Sequence, residues 1–542
     1  MSHPAATTDK DIIAPPEHLE HTAGDDTIKG TDADLVLAYD TGLIGVSRWG
    51  ALRRFWWPSL LCVMACLGVM NDGYQNQMPG SIISNQGFIN QFGTVVSSSG
   101  EVSLSASAVS LWGGMMPTGQ MVGAAFAGWF NDRVGRRGGM YVFTVCYLVG
   151  TILEITATNV GGWAGAKVIF GFAQGMTTAT APIYIGELAP PQIRGTLLCL
   201  YGFLFAIGQL VASVVLYVIQ NNRPLDYKLA IYTEFAFHGI WIFGGLLWLP
   251  ESPWYHARRN NDDKARHSLN RIYGGIEGYD VEHELVAIKH EIERQAAAAS
   301  AVGAWTDLFK GTNTRRTLAA CFAIDMQMLS GVIVMFAYTT YFVQQAGIGE
   351  PFTASLIVTI ILLVGLLVSF YAVEVLGRRA LMIGGGVACA ICNLVIGITG
   401  CLPKNDSTNH AALAFVFLWV FSYAASFAGV GWGMVSECAT PRLKSKTAAA
   451  ANITYNAYSL LFFFTVPYML ASSGAGAVNW GTKSLFLFAG TSIVGTTVNY
   501  FLLPETRGRT QSELDEMYER GVPPRQMSAY RSELEQTGGK RY

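Results

Sequence analysis

A few ionisable side chains interrupt long apolar stretches of this 542-residue sequence, and they are its clearest candidates for chemistry. A charge at the centre of a bilayer costs about 2.5–3.5 kcal/mol on insertion scales, so each should be paired, protonated or exposed to a water-filled cavity. A carboxylate in such a place can bind and release a proton. The predicted proton-coupling candidates are Asp72, Lys167, Glu234 and Asp325.

The surroundings of these residues are open to two interpretations. Asp72 either pairs with Lys167 across a helix bundle or caps a broken helix at the outer end of its own segment. Glu234 and His238 either belong to a buried site or lie near the outer membrane interface in water. For His238, which is the one histidine inside a predicted span, we expect the interface.

A second set of charged residues recurs along the chain as acid-plus-base clusters. Three clusters of the first half reappear in order in the second half, at offsets of 242, 250 and 254 residues. The matched members are Asp132-Arg-Val-Gly-Arg-Arg137 with Glu374-Val-Leu-Gly-Arg-Arg379, Glu187 and Arg194 with Glu437 and Lys444, and Pro250-Glu-Ser-Pro253 with Pro504-Glu-Thr-Arg-Gly508. This recurrence predicts an internal duplication, in which two six-helix bundles are related by an axis along the membrane normal.

The composition identifies the kind of chain that carries these residues. Hydrophobic residues make up 51% of it and charged residues 14%, whereas soluble domains carry about 25% charge. These values predict a polytopic membrane protein. A net charge of −2 without a basic stripe argues against nucleic-acid binding, and nine sparse cysteines, mostly inside apolar runs, argue against a secreted disulfide scaffold.

Twelve apolar stretches are long enough to cross a hydrocarbon core, which takes about 20 residues. We number them span 1 to span 12, and they cover residues 55–75, 105–130, 138–157, 162–185, 196–220, 229–249, 317–345, 352–373, 380–401, 411–436, 447–471 and 483–503. The predicted division is a disordered cytoplasmic tail at 1–50, an N-terminal six-helix bundle at 51–250, a cytoplasmic linker at 251–315, a C-terminal six-helix bundle at 316–503 and a cytoplasmic tail at 504–542.

The distribution of lysine and arginine predicts the orientation of these spans. Basic residues follow spans 2, 4, 8 and 10, while residues 76–104 contain neither lysine nor arginine. Because cytoplasmic loops carry the excess of basic residues, we expect the even-numbered spans to end inside and both termini to be cytoplasmic.

Taken together, these motifs resemble those of the major facilitator superfamily, and specifically its sugar porter family, over about residues 55–525. The stretches that carry the resemblance are Gly128-Trp-Phe-Asn-Asp-Arg-Val-Gly-Arg-Arg137, Pro182-Ile-Tyr-Ile-Gly-Glu-Leu-Ala-Pro190 with Arg194-Gly195, Pro250-Glu-Ser-Pro253 and Pro504-Glu-Thr-Arg-Gly508. Other stretches resemble the fungal α-glucoside, or maltose-type, permease branch: Glu251-Ser-Pro-Trp254, Phe309-Lys-Gly-Thr-Asn-Thr-Arg-Arg-Thr317, Gly208-Gln209 and Asn479-Trp-Gly-Thr-Lys483.

The resemblance implies an all-α membrane protein of the major-facilitator type, with 12 transmembrane helices in two pseudo-symmetric six-helix bundles and short cytoplasmic helices between them. It implies import of a sugar, a disaccharide or other glucoside, by alternating access at a site near mid-membrane. Many similar permeases are proton symporters. We expect a monomer in the plasma membrane, and no enzyme activity, cofactor or metal, since the sequence has no nucleotide-binding loop, metal cluster or nucleophile constellation.

The matched acid-plus-base clusters then predict a cytoplasmic gate. Arginines can fork onto carboxylates at neighbouring helix ends, so we expect them to tie the two bundles together when the cavity opens outward and to release them when it opens inward. The alternative is that the basic residues merely fix topology. The predicted gate residues are Asp132, Arg136, Arg137, Glu187, Arg194, Glu251, Glu374, Arg378, Arg379, Glu437, Arg442, Lys444 and Glu505.

Sugar-binding candidates are amide, hydroxyl and aromatic side chains on the predicted spans, because a sugar offers many hydroxyls and a flat apolar face. In similar proteins span 7 carries two glutamines and an Asn, where this chain has Gln327, Met328 and Ile333. This departure argues against a standard hexose site. The predicted contacts are Gln327, Ser330, Tyr338, Trp432, Asn452, Asn456, Gln209 and Gln75, with lipid packing as the alternative for Trp432 and helix–helix hydrogen bonding as the alternative for the two asparagines.

The usual proton-coupling pair of similar symporters is altered here. They typically carry Gly-Tyr-Asp in span 1 and an Arg in span 4, whereas this chain has Gly73-Tyr74-Gln75 and Lys167. Glutamine does not titrate. Three hypotheses follow: a proton–sugar symporter with a relocated carboxylate, a facilitative sugar uniporter, and a sugar sensor of the same fold that transports weakly or not at all.

Overall fold

The structure is a computed structural model, and it describes residues 48–96, 100, 102–190, 193–276, 279–300, 304–347, 350–403, 405–471, 477–509 and 511–530. Nearly all of the predicted N-terminal tail, and the end of the predicted C-terminal tail, lie outside these residues. What is described is almost entirely helical.

Twelve long helical segments follow one another in the order that the sequence predicts. Spans 1 to 6 are Trp56–Ile82, Ala106–Val134, Arg136–Thr156, Val160–Leu188, Arg194–Asn222 and Lys228–Leu246. Spans 7 to 12 are Thr312–Ala337 with Thr339–Ala346, Pro351–Leu376, Arg378–Thr399, Asp406–Cys438, Lys444–Leu470 and Gly481–Leu502. The predicted all-α fold is therefore confirmed, and each span lies within a few residues of its predicted bounds at most ends.

Eight of these segments are long and apolar enough to cross a membrane by length and composition alone. The other four are spans 1, 2, 4 and 11, which carry more polar and small residues along their length. Such residues are expected where helices pack closely or line an interior site. The less apolar spans are thus the ones that hold several of the predicted functional side chains.

Polar side chains and glycines set the ends of these helices. Ser105, Asn159 and Asn405 each accept a hydrogen bond from a backbone N–H in the first turn of spans 2, 4 and 10, which satisfies a donor that has no partner inside the helix. Between spans 2 and 3, and again between spans 8 and 9, a single glycine separates two helices. The connections at this end of the bundle are therefore very short.

Three of the spans contain a π-helical turn, which the sequence did not predict. These turns are Ile242–Leu246 in span 6, Ile333–Ala337 in span 7 and Ala424–Ala428 in span 10. A π turn inserts one residue into the helical repeat and is frequently found at functional sites. In span 7 the turn follows Gly331, whose φ of 94° suits glycine.

The connection between spans 1 and 2 is more ordered than a loop. Span 1 continues to Ile82, and a short helix, Gln86–Phe92, follows it. The two-residue strands Val95–Val96 and Val102–Ser103 then pair antiparallel. Phe88 is fully buried against Trp163, with ring centroids 4.9 Å apart, so this connection packs onto the start of span 4.

Four short helical elements lie between the two halves, at Pro253–Arg258, Asp262–Tyr273, Val281–Ser300 and Trp305–Phe309. Leu269 and Ile272 are buried in one apolar cluster with residues of the first six spans. The hydroxyl of Tyr273 donates to the carbonyl of Leu188 at 2.6 Å. After span 12, the helix Gln511–Glu519 is tied to span 7 by Arg316, whose Nη1 lies 2.5 Å from Asp515 Oδ1.

The two halves meet at the ends of the spans opposite the arginine-rich turns. Gln77 donates to Ser355 at 2.9 Å, and the hydroxyls of Ser81 and Thr340 lie 2.8 Å apart. Gly80 lets the carbonyl of Ala337 approach so closely that a Cβ would overlap it. All side-chain hydrogen bonds between spans of different halves, among the described residues, lie at this end, so the two halves are closed against each other there.

Candidate functional site

A cluster of charged and amide side chains is buried where spans 1, 3, 4 and 6 meet. Lys167 forms a salt bridge with Glu154, and both side chains are fully shielded from solvent. Gln75 joins this pair to a second carboxylate: its Oε1 accepts from Lys167 Nζ at 3.1 Å, and its Nε2 donates to Glu234 Oε1 at 2.7 Å. The same Nε2 lies 3.4 Å from Glu154 Oε2. We call Gln75, Glu154, Lys167 and Glu234 the buried charge cluster.

The cluster continues towards span 3 and the outer part of span 6 through hydroxyl and imidazole groups. Thr151 Oγ1 lies 2.9 Å from both Glu234 Oε2 and His238 Nε2. A hydroxyl has one hydrogen, so a Thr151 that donates to Glu234 accepts from His238. His238 also stacks on Tyr147 at a centroid distance of 6.1 Å. These contacts form a continuous polar path through an otherwise apolar bundle.

The structure contradicts the expectation for His238 and decides between the alternatives for Asp72 and Glu234. Lys167 pairs with Glu154 and not with Asp72, whose fully buried carboxylate has no hydrogen-bond partner among the described residues. His238 and Glu234 are not at a wet interface, since they are only 3% and 2% exposed. The reason is that the face of span 6 that carries Glu234 and His238 packs against spans 1 and 3.

Glu154 was missed in the sequence, although a signal was present. It is the one carboxylate in span 3 and stands in an apolar run, Thr151-Ile-Leu-Glu-Ile-Thr156. A carboxylate there has the same insertion cost as the four residues that were selected. It lies close to the predicted end of span 3, where a carboxylate can be solvated, and the packing against span 4 places it in the interior.

Charge counting explains what the cluster can do. Two carboxylates lie near one ammonium group: Glu154 pairs with Lys167 directly, Glu234 is linked to Lys167 through Gln75, and all of these side chains are buried. With every group ionised the cluster carries one uncompensated negative charge, which is costly away from water unless it is strongly stabilised. Uptake of one proton makes the cluster neutral. The arrangement is therefore suited to binding and releasing a single proton.

Lys167 also lines a small cavity between the two halves of the molecule. This cavity has a volume of about 40 Å³, and its other lining residues include Asn76, Trp112, Tyr338 and Phe463. Asn76 accepts from the amide of Gln209 at 3.1 Å, and the hydroxyl of Tyr338 donates to the carbonyl of Phe463 at 3.3 Å. Two predicted sugar contacts, Tyr338 and Gln209, therefore lie at or beside a cavity that the buried charge cluster borders.

Two further predicted contacts, Gln327 and Ser330, are engaged within the second half. The amide of Gln327 donates to the carbonyl of Phe427 at 3.1 Å and accepts from the hydroxyl of Tyr423 at 3.2 Å. Ser330 donates to the carbonyl of Gln327 at 2.8 Å. A ligand would have to displace these partners, so neither side chain is preorganised for binding in this conformation.

The predicted contacts on spans 10 and 11 are more accessible. Trp432 is 49% exposed, and its ring centroid lies 5.9 Å from that of Tyr455. Asn452 and Asn456 hydrogen bond to each other along span 11. Among the described residues, the hydrogen bonds of these amides therefore stay within one helix, whereas the alternative to sugar binding was a bond between helices. Near them Asp325, a predicted proton-coupling candidate, accepts from Thr454 at 3.0 Å.

The first acid-plus-base cluster forms a compact structure at the turn between spans 2 and 3. The backbone N–H groups of Arg136 and Arg137 both donate to the carboxylate of Glu251, at 2.9 and 3.1 Å. The Nη2 atom of Arg136 lies 2.8 Å from Glu187 Oε1, and its Nη1 lies 3.7 Å from Asp132 Oδ1. Burial raises the pKa of Glu251, while the N–H donors act against that rise.

The second half repeats this structure at the turn between spans 8 and 9. The N–H groups of Arg378 and Arg379 donate to Glu505 at 3.1 and 3.2 Å, and Arg378 Nη2 lies 3.6 Å from Glu437 Oε1. The two turn glycines have φ values of 105° and 86°. The duplication that the sequence predicted thus extends to individual hydrogen bonds, as expected for two bundles with one ancestral motif.

The ion pairs of these clusters named above each connect residues of one half. Among the described residues, the side-chain hydrogen bonds between spans of different halves lie at the opposite ends of the spans. The bridge between bundles, which the gate hypothesis expects when the cavity opens outward, therefore stays a prediction. Among the remaining predicted gate residues, Arg379 caps the end of span 12 through the carbonyls of Leu503 and Tyr500.

The other predicted gate residues have weaker contacts. Arg194 Nη2 lies 3.5 Å from the carbonyl of Ala189, which is at the limit for a hydrogen bond. Arg442 lies 3.8 Å from Asp307, in the segment between the halves. Glu374 and Lys444 are exposed. The contacts of these four residues do not distinguish a role in a gate from a role in fixing the membrane topology.

Comparisons with known proteins agree with this geometry. A family model described as "Sugar (and other) transporter" matches residues 61–518. The probable glucose transporter rco-3 of Neurospora crassa is 28% identical, with 83% of this chain and 77% of that protein covered. The low-affinity glucose transporter HXT1 of Saccharomyces cerevisiae is 26% identical, with 86% and 82% covered.

Solved structures support the same fold. The inward-open xylose transporter XylE from E. coli matches with a TM-score of 0.67 and 22% identity, over 84% of this chain and 98% of that one. The proton:xylose symporter XylE bound to 6-bromo-6-deoxy-D-glucose matches with a TM-score of 0.65 and 20% identity, over 85% and 99%. With its family model, its relatives and its fold in agreement, the chain belongs to the sugar transporter family of the major facilitator superfamily, whose members are membrane transporters and not enzymes.

Proposed function

We propose that this protein imports a sugar together with protons. The observation that carries the proposal is the buried charge cluster, in which Glu154 and Glu234 share Lys167 and Gln75 lies between them. Similar symporters have an aspartate at the position of Gln75. Here the glutamine removes that negative charge, and Glu154 on span 3 supplies another next to the same cation. The relocated carboxylate of the symport hypothesis is then Glu154, with Glu234 as its partner.

Protonation can be coupled to movement because the cluster contacts four spans. In the deprotonated state the excess negative charge favours a conformation that admits water to it, since an unpaired buried charge is costly. In the protonated state the cluster is neutral and can remain buried while the halves rearrange. Lys167 borders the cavity between the halves, which at about 40 Å³ has room for about one water molecule. A sugar bound there after the cavity widens would contact the same helices. Binding of proton and sugar would therefore favour the same rearrangement.

For the substrate we propose a disaccharide or other glucoside. The proposal rests on the departures from the hexose pattern at Met328 and Ile333, and on the α-glucoside-like stretches of the sequence. The second candidate is a hexose, and it is favoured by the relatives named as glucose transporters. The exposed Trp432 fits either class, because one sugar ring suffices to cover its apolar face.

Two other functions compete with symport. A facilitative uniporter would use Gln75 as a sugar contact and the ion pair of Lys167 as a structural element. A sensor would bind sugar and change conformation without net transport. Two carboxylates around one ammonium favour symport over both, because a purely structural pair needs only one of them.

Reconstitution into proteoliposomes tests the proposal. Uptake of radiolabelled maltose, sucrose, cellobiose, lactose, glucose and xylose should be measured with and without an inward proton gradient. We expect accumulation of at least one glucoside that depends on the gradient and collapses with a protonophore. Equal uptake in both conditions would establish a uniporter, and binding without uptake of any sugar would favour the sensor.

The membrane setting completes the proposal. We propose a plasma-membrane location with both termini in the cytoplasm and a functional monomer. The basic residues at the inner turns, such as Arg136 and Arg378, support this orientation. It places the closed, hydrogen-bonded ends of the spans outside, so the described conformation faces inward. Labelling of Cys401, which is exposed between spans 9 and 10, by a membrane-impermeant maleimide on intact cells tests the topology.

A further inference from the structure

Span 7 is interrupted at Ser330 and Gly331. Its helix Thr312–Leu329 ends there, and the π turn Ile333–Ala337 begins one residue after Gly331. Among the described residues, no backbone N–H donates to the carbonyls of Leu329 and Ser330, although both residues are buried. A buried carbonyl without a donor is costly, so this break needs partners from other helices.

Side chains of spans 9 and 12 supply these partners. Asn393 Nδ2 donates to the carbonyl of Ser330 at 2.9 Å, and Asn393 is itself fully buried. Thr491 Oγ1 donates to the carbonyl of Leu329 at 2.6 Å, the closest of the three carbonyls around this hydroxyl. Two helices of the second half therefore hold the break in span 7.

The two parts of span 7 have different neighbours. The inner part is bonded within the second half, for example by Asn499, whose amide donates to the carbonyl of Phe322 at 3.3 Å. The outer part, residues 333–346, contacts span 1 of the first half, where the hydroxyls of Thr340 and Ser81 lie 2.8 Å apart. We call residues 333–346 the outer segment. The break thus separates a part fixed in one half from a part that closes against the other.

The bond of Asn393 is sensitive to the direction of the outer segment. The Ser330 carbonyl belongs to the peptide that joins Ser330 to Gly331, and a change in ψ of Ser330 both tilts the outer segment and turns this carbonyl away from Asn393. Gly331, with a φ of 94°, adds backbone freedom at the same place. Separation of the outer segment from span 1 by a tilt at this peptide therefore breaks the hydrogen bond of Asn393.

We propose that Asn393 and Thr491 are positioning residues for transport, which fix the break so that the outer segment rests against span 1. Neither is among the described residues that line the cavity between the halves, so they act through the position of span 7 and not by contact with sugar. Loss of either donor favours separation of the outer segment, because the closed position then no longer has this bond. The inference depends neither on which sugar is carried nor on proton coupling.

The full-length protein in detergent provides the test, in a background that carries Thr340→Cys. Thr340 is fully buried in the closed contact, so N-ethylmaleimide reaches the introduced thiol only when the outer segment leaves span 1. Peptide mass spectrometry follows the modification at this position separately from the nine native cysteines. Addition of Asn393→Leu should raise the labelling rate about tenfold, which corresponds to about 1.4 kcal/mol.

The matched control adds Asn499→Leu to the same background. It also removes a buried amide that donates to a carbonyl of span 7, but that carbonyl lies inside the continuous inner helix. We expect its labelling rate to equal that of Thr340→Cys alone. Equal acceleration by the two asparagine variants would mean general loosening of the second half and would overturn the proposal, as would no acceleration by Asn393→Leu.

A second pair of variants keeps the test decisive if Asn393→Leu does not fold. Thr491→Val removes the hydroxyl that donates to Leu329 at nearly constant volume, whereas Thr491→Ser keeps it. In the Thr340→Cys background, Thr491→Val should accelerate labelling and Thr491→Ser should not. The proposal is wrong if the valine and serine variants are labelled at the same rate.

Discussion

Glu154 of span 3 and Lys167 of span 4 form a salt bridge in which neither side chain is exposed to solvent. Removing one member of such a pair leaves the other charged and unpaired, at a cost of about 3–5 kcal/mol, whereas replacing both is often tolerated. In this protein Glu234 lies on the other side of Gln75 and offers Lys167 a second carboxylate. The pair can therefore be altered without abolishing the fold.

The first prediction concerns Glu154→Gln. We expect the variant to lose sugar accumulation driven by a proton gradient but to retain exchange of labelled for unlabelled sugar. The reason is that Lys167 then pairs with Glu234, so the cluster is neutral without binding a proton. Uptake and counterflow in proteoliposomes measure the two activities. The control is Glu293→Gln, which removes an exposed carboxylate of the linker. Accumulation at the level of the unaltered protein would contradict the role of Glu154.

The second prediction is a rescue by relocated charge. The side chain of Gln75 contacts Lys167 at 3.1 Å and Glu234 at 2.7 Å, so Gln75→Glu places a carboxylate next to the same cation without changing the length of the side chain. In the double variant Glu154→Gln/Gln75→Glu we expect proton-driven accumulation to return. If the double variant performs counterflow but does not accumulate sugar, the prediction is wrong. Proton coupling would then depend on the position of the carboxylate and not on the net charge of the cluster.

The twelve spans were predictable because each is a continuous apolar run in the sequence. The duplicated clusters were predictable because the same motifs occur in both halves. The motifs that meet at Glu251 and at Glu505 are visible in the sequence, which predicted that arginine side chains pair with carboxylates. The structure adds that the backbone N–H groups of these arginines donate to both glutamates. The repeat then doubles the evidence for each of them.

Partners inside the bundle were not predictable in the same way. Asp72 and Glu154 are the single carboxylates of spans 1 and 3, and which of them faces Lys167 depends on the rotation of these spans about their axes. A rotation of a few tens of degrees is invisible to a hydropathy pattern when a helix is apolar on most sides. The π turns of spans 6, 7 and 10 change that rotation further along each helix.

The third prediction concerns Gly135, the residue between spans 2 and 3. Its φ of 105° with ψ of 168° is a conformation that essentially only glycine adopts, and a Cβ there would overlap the carboxylate of Glu251. We expect Gly135→Ala to destabilise the protein by about 1–3 kcal/mol and to lower its thermal midpoint in detergent. Gly128→Ala, in span 2 with nothing near its Cβ position, should not lower the midpoint. An equal effect of both substitutions would refute the argument.

The fourth prediction tests Trp432 as a sugar contact. Because its half-exposed ring lies beside Tyr455, Trp432→Ala should raise the KM for the transported sugar about tenfold, equivalent to about 1.4 kcal/mol, with little change in kcat. Trp248→Ala is the matched control, since Trp248 is 54% exposed and donates to a carbonyl of its own helix end. A similar KM for both variants would assign Trp432 to lipid packing.

The fifth prediction concerns the closed outer end, where Ser81 and Thr340 face each other across the halves with hydroxyls 2.8 Å apart. Residues this close can be joined by a disulfide with little backbone movement. Oxidation of Ser81→Cys/Thr340→Cys should abolish uptake, and dithiothreitol should restore it, because a sugar enters from outside only when these helices separate. Each single variant controls for the nine native cysteines, all of which are free. If the cross-linked protein transports at the normal rate, the outer contacts between spans 1 and 7 are not the barrier that alternating access requires.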